Sequence, residues 1–264
     1  MRIVTRGPKV GICNICGVYG RLTEDHIPPK DVIRPRQVEI MNFTDMLSIP
    51  RPTRNSRISQ NGVKYRTLCS DCNNRLLGTN YDPSLIKLPN EIKTFLASGL
   101  YLPSSTLVQV KLGRVMRSVI GHLLAHGVGE HRAGTAICEL TDYFLDENAP
   151  FPENINLYYW IYPYQDQIIL KGFSASLHYW HSFAVCMLLK FFPISFLFVV
   201  DEPSSWILPV DRLRPDHLQS IDDEARIRLQ FNNIQPQRWP ECPTDIGMVM
   251  HTPGATGAVP RDIE

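Results

Sequence analysis

Apolar positions recur along this chain with two different periods, which predicts helices in its middle part and strands in its C-terminal part. The strongest repeat with a spacing of three and four residues covers residues 107–125 and is followed by Gly127, so we predict one long helix there. Shorter helices are predicted over residues 89–97 and 141–145. These helices make residues 83–150 a predicted helical connector.

From residue 154 onward, aromatic and β-branched residues dominate, as is typical of strands. We predict strands over residues 155–162 and 167–175, joined as a hairpin by residues 163–166. A last strand is predicted over residues 225–231. The C-terminal part is therefore expected to be a β-rich α+β domain.

Two continuous apolar runs, residues 183–192 and 194–200, together approach the length of a membrane span. Lys190 and Pro193 interrupt them, and the surrounding pattern is that of a sheet, which favours buried central strands. The tail from residue 243 is rich in Pro, Gly and Thr and is predicted to be loose.

The N-terminal part is less regular. Residues 63–68 alternate as a strand, and a helix is expected to begin at Asn73. Prolines and arginines are interleaved over residues 31–60, which predicts an extended loop.

The composition of the 264 residues, 44% hydrophobic and 20% charged, is that of a soluble protein with a packed core. The chain lacks a phosphate-binding Walker loop, a dinucleotide-binding glycine pattern and internal repeats. We expect an α+β protein in three parts: an N-terminal domain over residues 1–82, the connector over 83–150, and a regulatory, recognition or oligomerisation domain over 151–264.

The net charge of +1 hides an asymmetry. Residues 1–80 carry 13 Lys and Arg against 6 Asp and Glu, whereas the rest carries 14 against 20. A basic N-terminal part attracts nucleic acid by neutralising phosphates, and the alternative is a solvated basic surface. The predicted nucleic-acid-binding residues are Lys30, Arg34, Arg36, Arg54, Arg57, Lys64 and Arg66.

Four of the seven cysteines form two Cys-x-x-Cys pairs, Cys13 with Cys16 and Cys69 with Cys72. Two such pairs supply the four thiolates of a tetrahedral structural zinc site. The odd number of cysteines and the absence of a signal peptide argue against disulfides, so we expect a reduced, cytoplasmic protein.

Between the two pairs stands Leu-Thr-Glu-Asp-His-Ile-Pro-Pro-Lys, residues 22–30, and two asparagines follow the second pair. This pattern resembles the zinc-knuckle branch of the HNH endonucleases over residues 10–82. The resemblance implies a treble-clef-like ββα-metal domain, in which a β-hairpin carries the Asp-His pair and packs against a helix that begins at the second cysteine pair.

By the same resemblance, His26 is the general base, and Asp25 and Asn73 bind a catalytic Mg²⁺ or Mn²⁺. Imidazole has a suitable pKa for a base near neutral pH, and carboxylate and amide oxygens are hard donors that suit these ions. Lys64 to Thr67 fill the stretch where relatives carry the residue that orients the base, so Asn61 is the nearest candidate. The Asn at position 73 also stands where many relatives have His.

The implied function is a metal-dependent endonuclease acting on double-stranded DNA, with defence against foreign DNA as its setting. The alternatives are a catalytically inactive zinc-stabilised nucleic-acid-binding module and a ribonuclease. One such site hydrolyses one strand per engagement, so a homodimer or higher oligomer is expected. His122 and His126 are spaced four apart as in a zinc-binding helix, but the Glu of that motif is lacking, which favours ordinary helix-end histidines.

Overall fold

The computed structural model describes residues 3–33, 36–47, 56–98, 101–176, 182–215, 218–242, 247–251 and 255–261. The fold is mixed α+β, as predicted, with one large β-rich sheet and a few helices. None of the helices in these ranges has the length and apolar character needed to cross a membrane.

A small antiparallel sheet carries both cysteine pairs. Its strands, in the order β1-β2-β5, are β1 (Val10–Ile12), β2 (Tyr19–His26) and β5 (Lys64–Cys69). A π-helix, Asp71–Tyr81, begins inside the second pair and continues directly into helix α2, Asp82–Leu96. The predicted strand and the helix that follows it are both present.

The predicted extended loop over residues 31–60 is wrong in the described part of this segment. It contains strand β3 (Val38–Asn42), helix α1 (Phe43–Leu47) and strand β4 (Ser56–Ser59). Val38 and Ile40 are almost fully buried, so this segment has apolar residues enough to enter a sheet. The prolines and arginines elsewhere in residues 31–60 made this strand pattern hard to recognise in the sequence.

The large sheet has the strand order β11-β7-β10-β9-β8-β14-β3-β4, with β13 also paired to β8. Its remaining strands are β7 (Ile155–Ile161), β8 (Gln167–Ser176), β9 (Ala184–Phe191), β10 (Ile194–Val200), β11 (Asp211–Leu213), β13 (Met248–His251) and β14 (Thr256–Pro260). The predicted buried strands on either side of Pro193 are confirmed as β9 and β10. The tail is not loose where it forms β13 and β14.

The predicted hairpin between β7 and β8 is wrong, because β7 pairs with β10 and β8 pairs with β9 and β14. Alternate residues of β7 enter separate apolar layers: Leu157 and Tyr159 lie in one, and Tyr158 and Trp160 lie in the other. A strand buried on both faces belongs at an inner position of the sheet. The prediction paired β7 with β8 because these strands are consecutive in the chain, but they are not neighbours in the sheet.

Three helices and a two-stranded ribbon form the rest of the described structure. They are α2, α3 (Leu112–Ala125), α4 (Thr135–Leu145), and the pair of β6 (Ser105–Lys111) with β12 (Glu224–Gln230). The helix predicted from residue 107 therefore begins at Leu112. In β6, Val108 and Val110 are buried and alternate with exposed residues, which is the period of two of a strand. These valines directly precede the apolar positions of α3, so the two patterns run together in the sequence.

One apolar core runs through all three predicted parts, since it includes Leu68, Leu123 and Phe196. Strands β3 and β14, from opposite ends of the chain, are also neighbours in the large sheet. The sheet thus contains strands from both sides of the predicted boundary at residue 82.

Candidate functional site

The two cysteine pairs meet between β1, β2 and the start of the π-helix. The Sγ atoms of Cys13, Cys16, Cys69 and Cys72 all lie within 4.8 Å of one another, and those of Cys16 and Cys69 are 3.7 Å apart. Four sulfurs around a tetrahedral Zn²⁺ are about 3.8 Å apart, because each Zn–S bond is about 2.3 Å long. A hydrogen bond from the Cys72 thiol lowers the pKa of Cys13 to about 4, which favours a thiolate there. The cluster can therefore hold a zinc ion.

The first cysteine pair also holds the end of helix α3. The Asn14 side chain, between the two cysteines, donates hydrogen bonds to the carbonyl oxygens of Gly127 at 2.6 Å and Leu124 at 3.3 Å. Lys171 of β8 donates to the carbonyls of Leu124 and His126, placing a positive charge at the helix C-terminus. These bonds join the zinc-binding part to α3 and to the large sheet.

Asp25, predicted to bind a catalytic metal, instead faces helix α3. It is 5% exposed, and its Oδ2 lies 2.9 Å from Nδ1 of His122. The other ring nitrogen of His122 lies 3.0 Å from Oδ1 of Asp82, which also accepts a 2.6 Å hydrogen bond from Ser118. Burial opposes charge on His122, but the two carboxylates outweigh it and raise its pKa to about 10. His122 therefore binds a proton tightly between two acidic side chains, while burial raises the pKa of Asp25 against the opposing charge of His122.

The other histidine of α3 has a different environment. His126 hydrogen-bonds Thr256 of β14 at 2.9 Å, and its ring packs against Tyr65 with 4.9 Å between the centroids. Among the described residues, the four cysteines are the only group of three or more His, Cys, Asp or Glu whose possible ligand atoms all lie within 4.8 Å of one another. His122 in α3 and His126 directly after it both have hydrogen-bond partners within the protein. The role of His122 beside Asp25 was missed, because the two residues are 97 positions apart.

Asn73 lies on the π-helix and fastens it to β2. Its side-chain nitrogen donates to Oγ1 of Thr23 at 2.9 Å and to the carbonyl oxygen of Glu24 at 3.1 Å. The residue is 9% exposed. Asn73 therefore lies close to the strand that carries Asp25 and His26, as the resemblance implies, but its described contacts are those of a helix anchor.

The chain does not fit a catalytic divalent ion at Asp25 and Asn73 in this arrangement. Mg²⁺ usually keeps several water ligands, and both side chains are almost fully buried. The imidazolium of His122 already supplies a positive charge to Asp25. Neither Asp25 nor Asn73 is among the residues that line the cavity next to His26.

His26, the last residue of β2, is half-buried and borders a cavity of about 20 Å³. The backbone of Asn61 hydrogen-bonds its ring, whereas Nε2 is buried and has no hydrogen-bond partner among the described residues. Burial lowers the pKa of His26, and the charges of Lys64 and Lys30 lower it further against the opposing charge of Asp25. Near neutral pH the ring is therefore uncharged, with one nitrogen available to accept a proton.

The predicted nucleic-acid-binding residues fall into separate groups. Lys30 and Arg36 are exposed and line the cavity of His26. Lys64 and Arg66 both form ion pairs with Glu24, at 2.9 Å each. The remaining members are Arg57, which is half-buried on β4, and Arg34 and Arg54, which lie outside the described residues.

No protein-family model matches this chain, and no curated protein and no solved structure gives a significant match.

Proposed function

We propose that this protein is an HNH-type endonuclease that hydrolyses phosphodiester bonds of double-stranded DNA, with His26 as the general base. The observation that carries the proposal is the unpartnered Nε2 of His26 in a cavity that is also lined by Lys30 and Arg36. A neutral imidazole next to two cations provides a base together with charges that attract a phosphate. The resemblance over residues 10–82 supports the same assignment.

In the proposed reaction, the Asn61 backbone carbonyl accepts the Nδ1 proton of His26 and so leaves Nε2 as a proton acceptor. His26 takes a proton from a water molecule whose oxygen forms a new bond to phosphorus. The bond between phosphorus and the 3′ oxygen breaks, its electrons stay on that oxygen, and solvent protonates it. Lys30 and Arg36 stabilise the negative charge that grows on the phosphate oxygens.

The zinc site has a structural role in this proposal. Zinc bound by the four cysteines fixes β1, β2 and the start of the π-helix, and all four ligand positions are then filled. The ion therefore holds the strand on which His26 lies and takes no part in the hydrolysis.

The resemblance implies that cleavage depends on Mg²⁺ or Mn²⁺, and this dependence is to be measured. Asp25 and Asn73 have no part in the proposed reaction, because neither residue lines the cavity. A divalent ion, when bound near a phosphate, supplies stabilisation of the charge that develops on its oxygens.

A second candidate function is a zinc-stabilised module that binds nucleic acid without cutting it. Two observations favour it: Asp25 is engaged by His122, and Asn73 is engaged by the β2 strand. In that case Lys30 and Arg36 contact the backbone of the nucleic acid, and His26 has no chemical role.

The proposal includes a homodimer or higher assembly. Each copy of the protein has one His26 cavity and cleaves one strand each time it binds DNA. A double-strand break therefore needs two copies or two successive nicks. Light scattering at micromolar concentration measures the assembly, and the ratio of linear to nicked plasmid measures paired cutting. A strict monomer that linearises plasmid in one encounter contradicts this part of the proposal.

The test is nicking of supercoiled plasmid by the zinc-loaded protein, in Mg²⁺, in Mn²⁺ and without added divalent ion, beside the variant His26→Ala. We expect nicking by the wild type, and DNA binding without nicking by the variant. Lys30→Ala is expected to weaken DNA binding, whereas the matched control Lys87→Ala, an exposed lysine paired with Glu91 on α2, leaves it unchanged. Equal nicking by wild type and His26→Ala contradicts the assignment of the base. Binding without nicking by both proteins favours the second candidate.

A further inference from the structure

The cavity next to His26 is closed on one side by a residue from the C-terminal part of the chain. Gln167, the first residue of β8, lines it and is only 7% exposed. Its side-chain Oε1 is buried and has no hydrogen-bond partner among the described residues. A glutamine that is more than nine-tenths buried, with an unpaired oxygen, calls for a ligand in that space.

Two residues that each carry a buried, unpaired acceptor thus line one small space. Nε2 of His26 and Oε1 of Gln167 are both buried and unpartnered, and both residues line the cavity of about 20 Å³. A water molecule needs about 10–15 Å³ of such space and two or more polar partners. It also carries two O–H donors, one for each acceptor. The size of the cavity and the chemistry of its lining match a single water.

We propose that Gln167 and His26 together bind the water that attacks the phosphate, so that the large sheet supplies a catalytic residue to the zinc-binding part. This inference rests on the proposed hydrolytic function. Oε1 of Gln167 accepts a hydrogen bond from one O–H of the water, and that proton stays on the attacking oxygen, while His26 removes the other proton as the oxygen bonds to phosphorus. The Gln167 amide is unchanged at the end of the reaction, and its contribution is to orient the water.

The position of Gln167 is well determined by the sheet. Its backbone lies in the ladder between β8 and β14, opposite Ala258, and is therefore held by a strand near the C-terminus. The cavity is also lined by Val38 of β3 and by Gly62 and Val63, which precede β5. A water bound there is held by several elements, as orientation for attack requires.

The charges of the cavity complete the site. Lys30 and Arg36 stand at its exposed rim, where a phosphate would approach the bound water. Arg36 also bonds the side chain of Gln165, two residues before Gln167, with 2.5 Å between its Nη2 and Oε1. The segment before β8 therefore positions a cation as well as the water-binding glutamine.

The kinetic test compares substitutions that keep or remove the acceptor oxygen. Gln167→Met removes it at similar size and is expected to lower kcat by at least tenfold with little change in KM. Gln167→Glu retains an oxygen at the same reach and is expected to preserve most of the activity. The matched control Gln219→Met, at an exposed position away from the cavity, should behave as wild type. An unchanged kcat for Gln167→Met overturns the proposal.

A crystal structure of the zinc-loaded protein tests the water site independently of catalysis. We expect density for a water within hydrogen-bond distance of both His26 Nε2 and Gln167 Oε1 in the wild type, and its loss in Gln167→Met. An empty cavity in the wild type overturns the inference even if the protein cuts DNA. A bound water in a protein that cuts no nucleic acid instead overturns the proposed function and the water's role as nucleophile, while the binding site itself stands.

Discussion

Three histidines illustrate how the surroundings of a residue decide its role in this protein. His26 is half-buried beside lysines, His122 lies between two carboxylates, and His126 is buried against Tyr65 and Thr256. Burial and the charge of Lys171 lower the pKa of His126 to about 3, whereas the pKa of His122 is raised to about 10. Among these three, His26 is the one whose ring lines a cavity together with exposed cations, Lys30 and Arg36.

The lowered pKa of His126 gives a prediction about stability against pH. The unfolded chain binds a proton at this residue below about pH 6.5, and the folded protein does not until about pH 3, so the free energy of unfolding falls as the pH drops through this window. Between pH 7.5 and 5.5 the linked loss is on the order of 1 kcal/mol. Urea unfolding of wild type and His126→Gln should show a smaller loss for the variant. Equal losses in the two proteins would mean that His126 is not buried uncharged.

At the residue scale, the sequence was informative where the chemistry is local. The four zinc ligands were predictable because each pair lies within four positions and needs only a tight turn. The partner of Asp25 was not predictable, since His122 is 97 positions away in the sequence. Gln167 carries no motif, and only the fold places it next to His26.

At the scale of elements, strand β9 contains a buried charge that the apolar pattern did not explain. Lys190 is fully buried and donates to Glu241 at 2.7 Å and to the carbonyls of Gln237 at 2.6 Å and Trp239 at 3.0 Å. The lysine that interrupts the apolar run thus ties the segment around residue 240 to the sheet. The hydrogen bonds of Lys190 go to none of the residues that line the His26 cavity, and the network holds a loop to the sheet.

Breaking that pair gives a second prediction. Lys190→Met leaves the carboxylate of Glu241 buried without its charged partner, and we expect a loss of about 3–5 kcal/mol in the free energy of unfolding. Adding Glu241→Gln to the same protein removes the buried charge and should restore part of the loss. Chemical denaturation of the two variants measures both effects. A Lys190→Met protein as stable as wild type would contradict the role given to this pair.

The zinc site gives a third prediction at this scale. Cys72→Ser removes one ligand, and because zinc fixes the element that caps α3 through Asn14, we expect loss of the metal together with helical structure. Cys242→Ser is the matched control, since this cysteine lies outside the cluster. Metal content and far-ultraviolet circular dichroism report the outcome. Native circular dichroism in a metal-free Cys72→Ser protein would show that the cluster is not structural.

Strand order marks the limit of prediction from the sequence at this scale. Most strands of the C-terminal part were located from their composition, but their neighbours were not, because β7 and β10 pair over the whole length of both strands while β8 follows β7 in the chain. Helix α3 was predicted, but its predicted start was too early. The buried valines of β6 directly precede the apolar positions of the helix, and the sequence pattern did not separate them. Pairing depends on which faces become buried, which a local pattern does not reveal.

At the scale of the whole molecule, the zinc-binding part and the large sheet depend on each other. Thr256 of β14 hydrogen-bonds His126 of α3 and lies 3.2 Å from the hydroxyl of Tyr65 on β5. The insertion between β2 and β5 contributes β3 and β4 to the large sheet. The residues that line the His26 cavity come from the first 63 residues and from Gln167 of β8.

A fourth prediction follows from this interdependence. A fragment of residues 1–82 lacks His122, so Asp25 and Asp82 lose the imidazolium between them, and β3 loses its partner β14. We expect the zinc-loaded fragment to show no cooperative unfolding transition, since its apolar core is incomplete. Thermal denaturation followed by circular dichroism is the measurement. A sharp transition in the fragment would show that the first 82 residues fold alone.

The fate of solvent oxygen tests the proposed reaction most directly. Duplex DNA is incubated with the zinc-loaded protein in water enriched in a heavy oxygen isotope, and the ends of the products are analysed by mass spectrometry. Attack by a water held next to His26 predicts a single solvent oxygen on the 5′-phosphate of each cleaved bond, opposite a 3′-hydroxyl, and no product with His26→Ala. DNA that stays intact with the wild-type protein, or equal incorporation with His26→Ala, would contradict hydrolysis at this site.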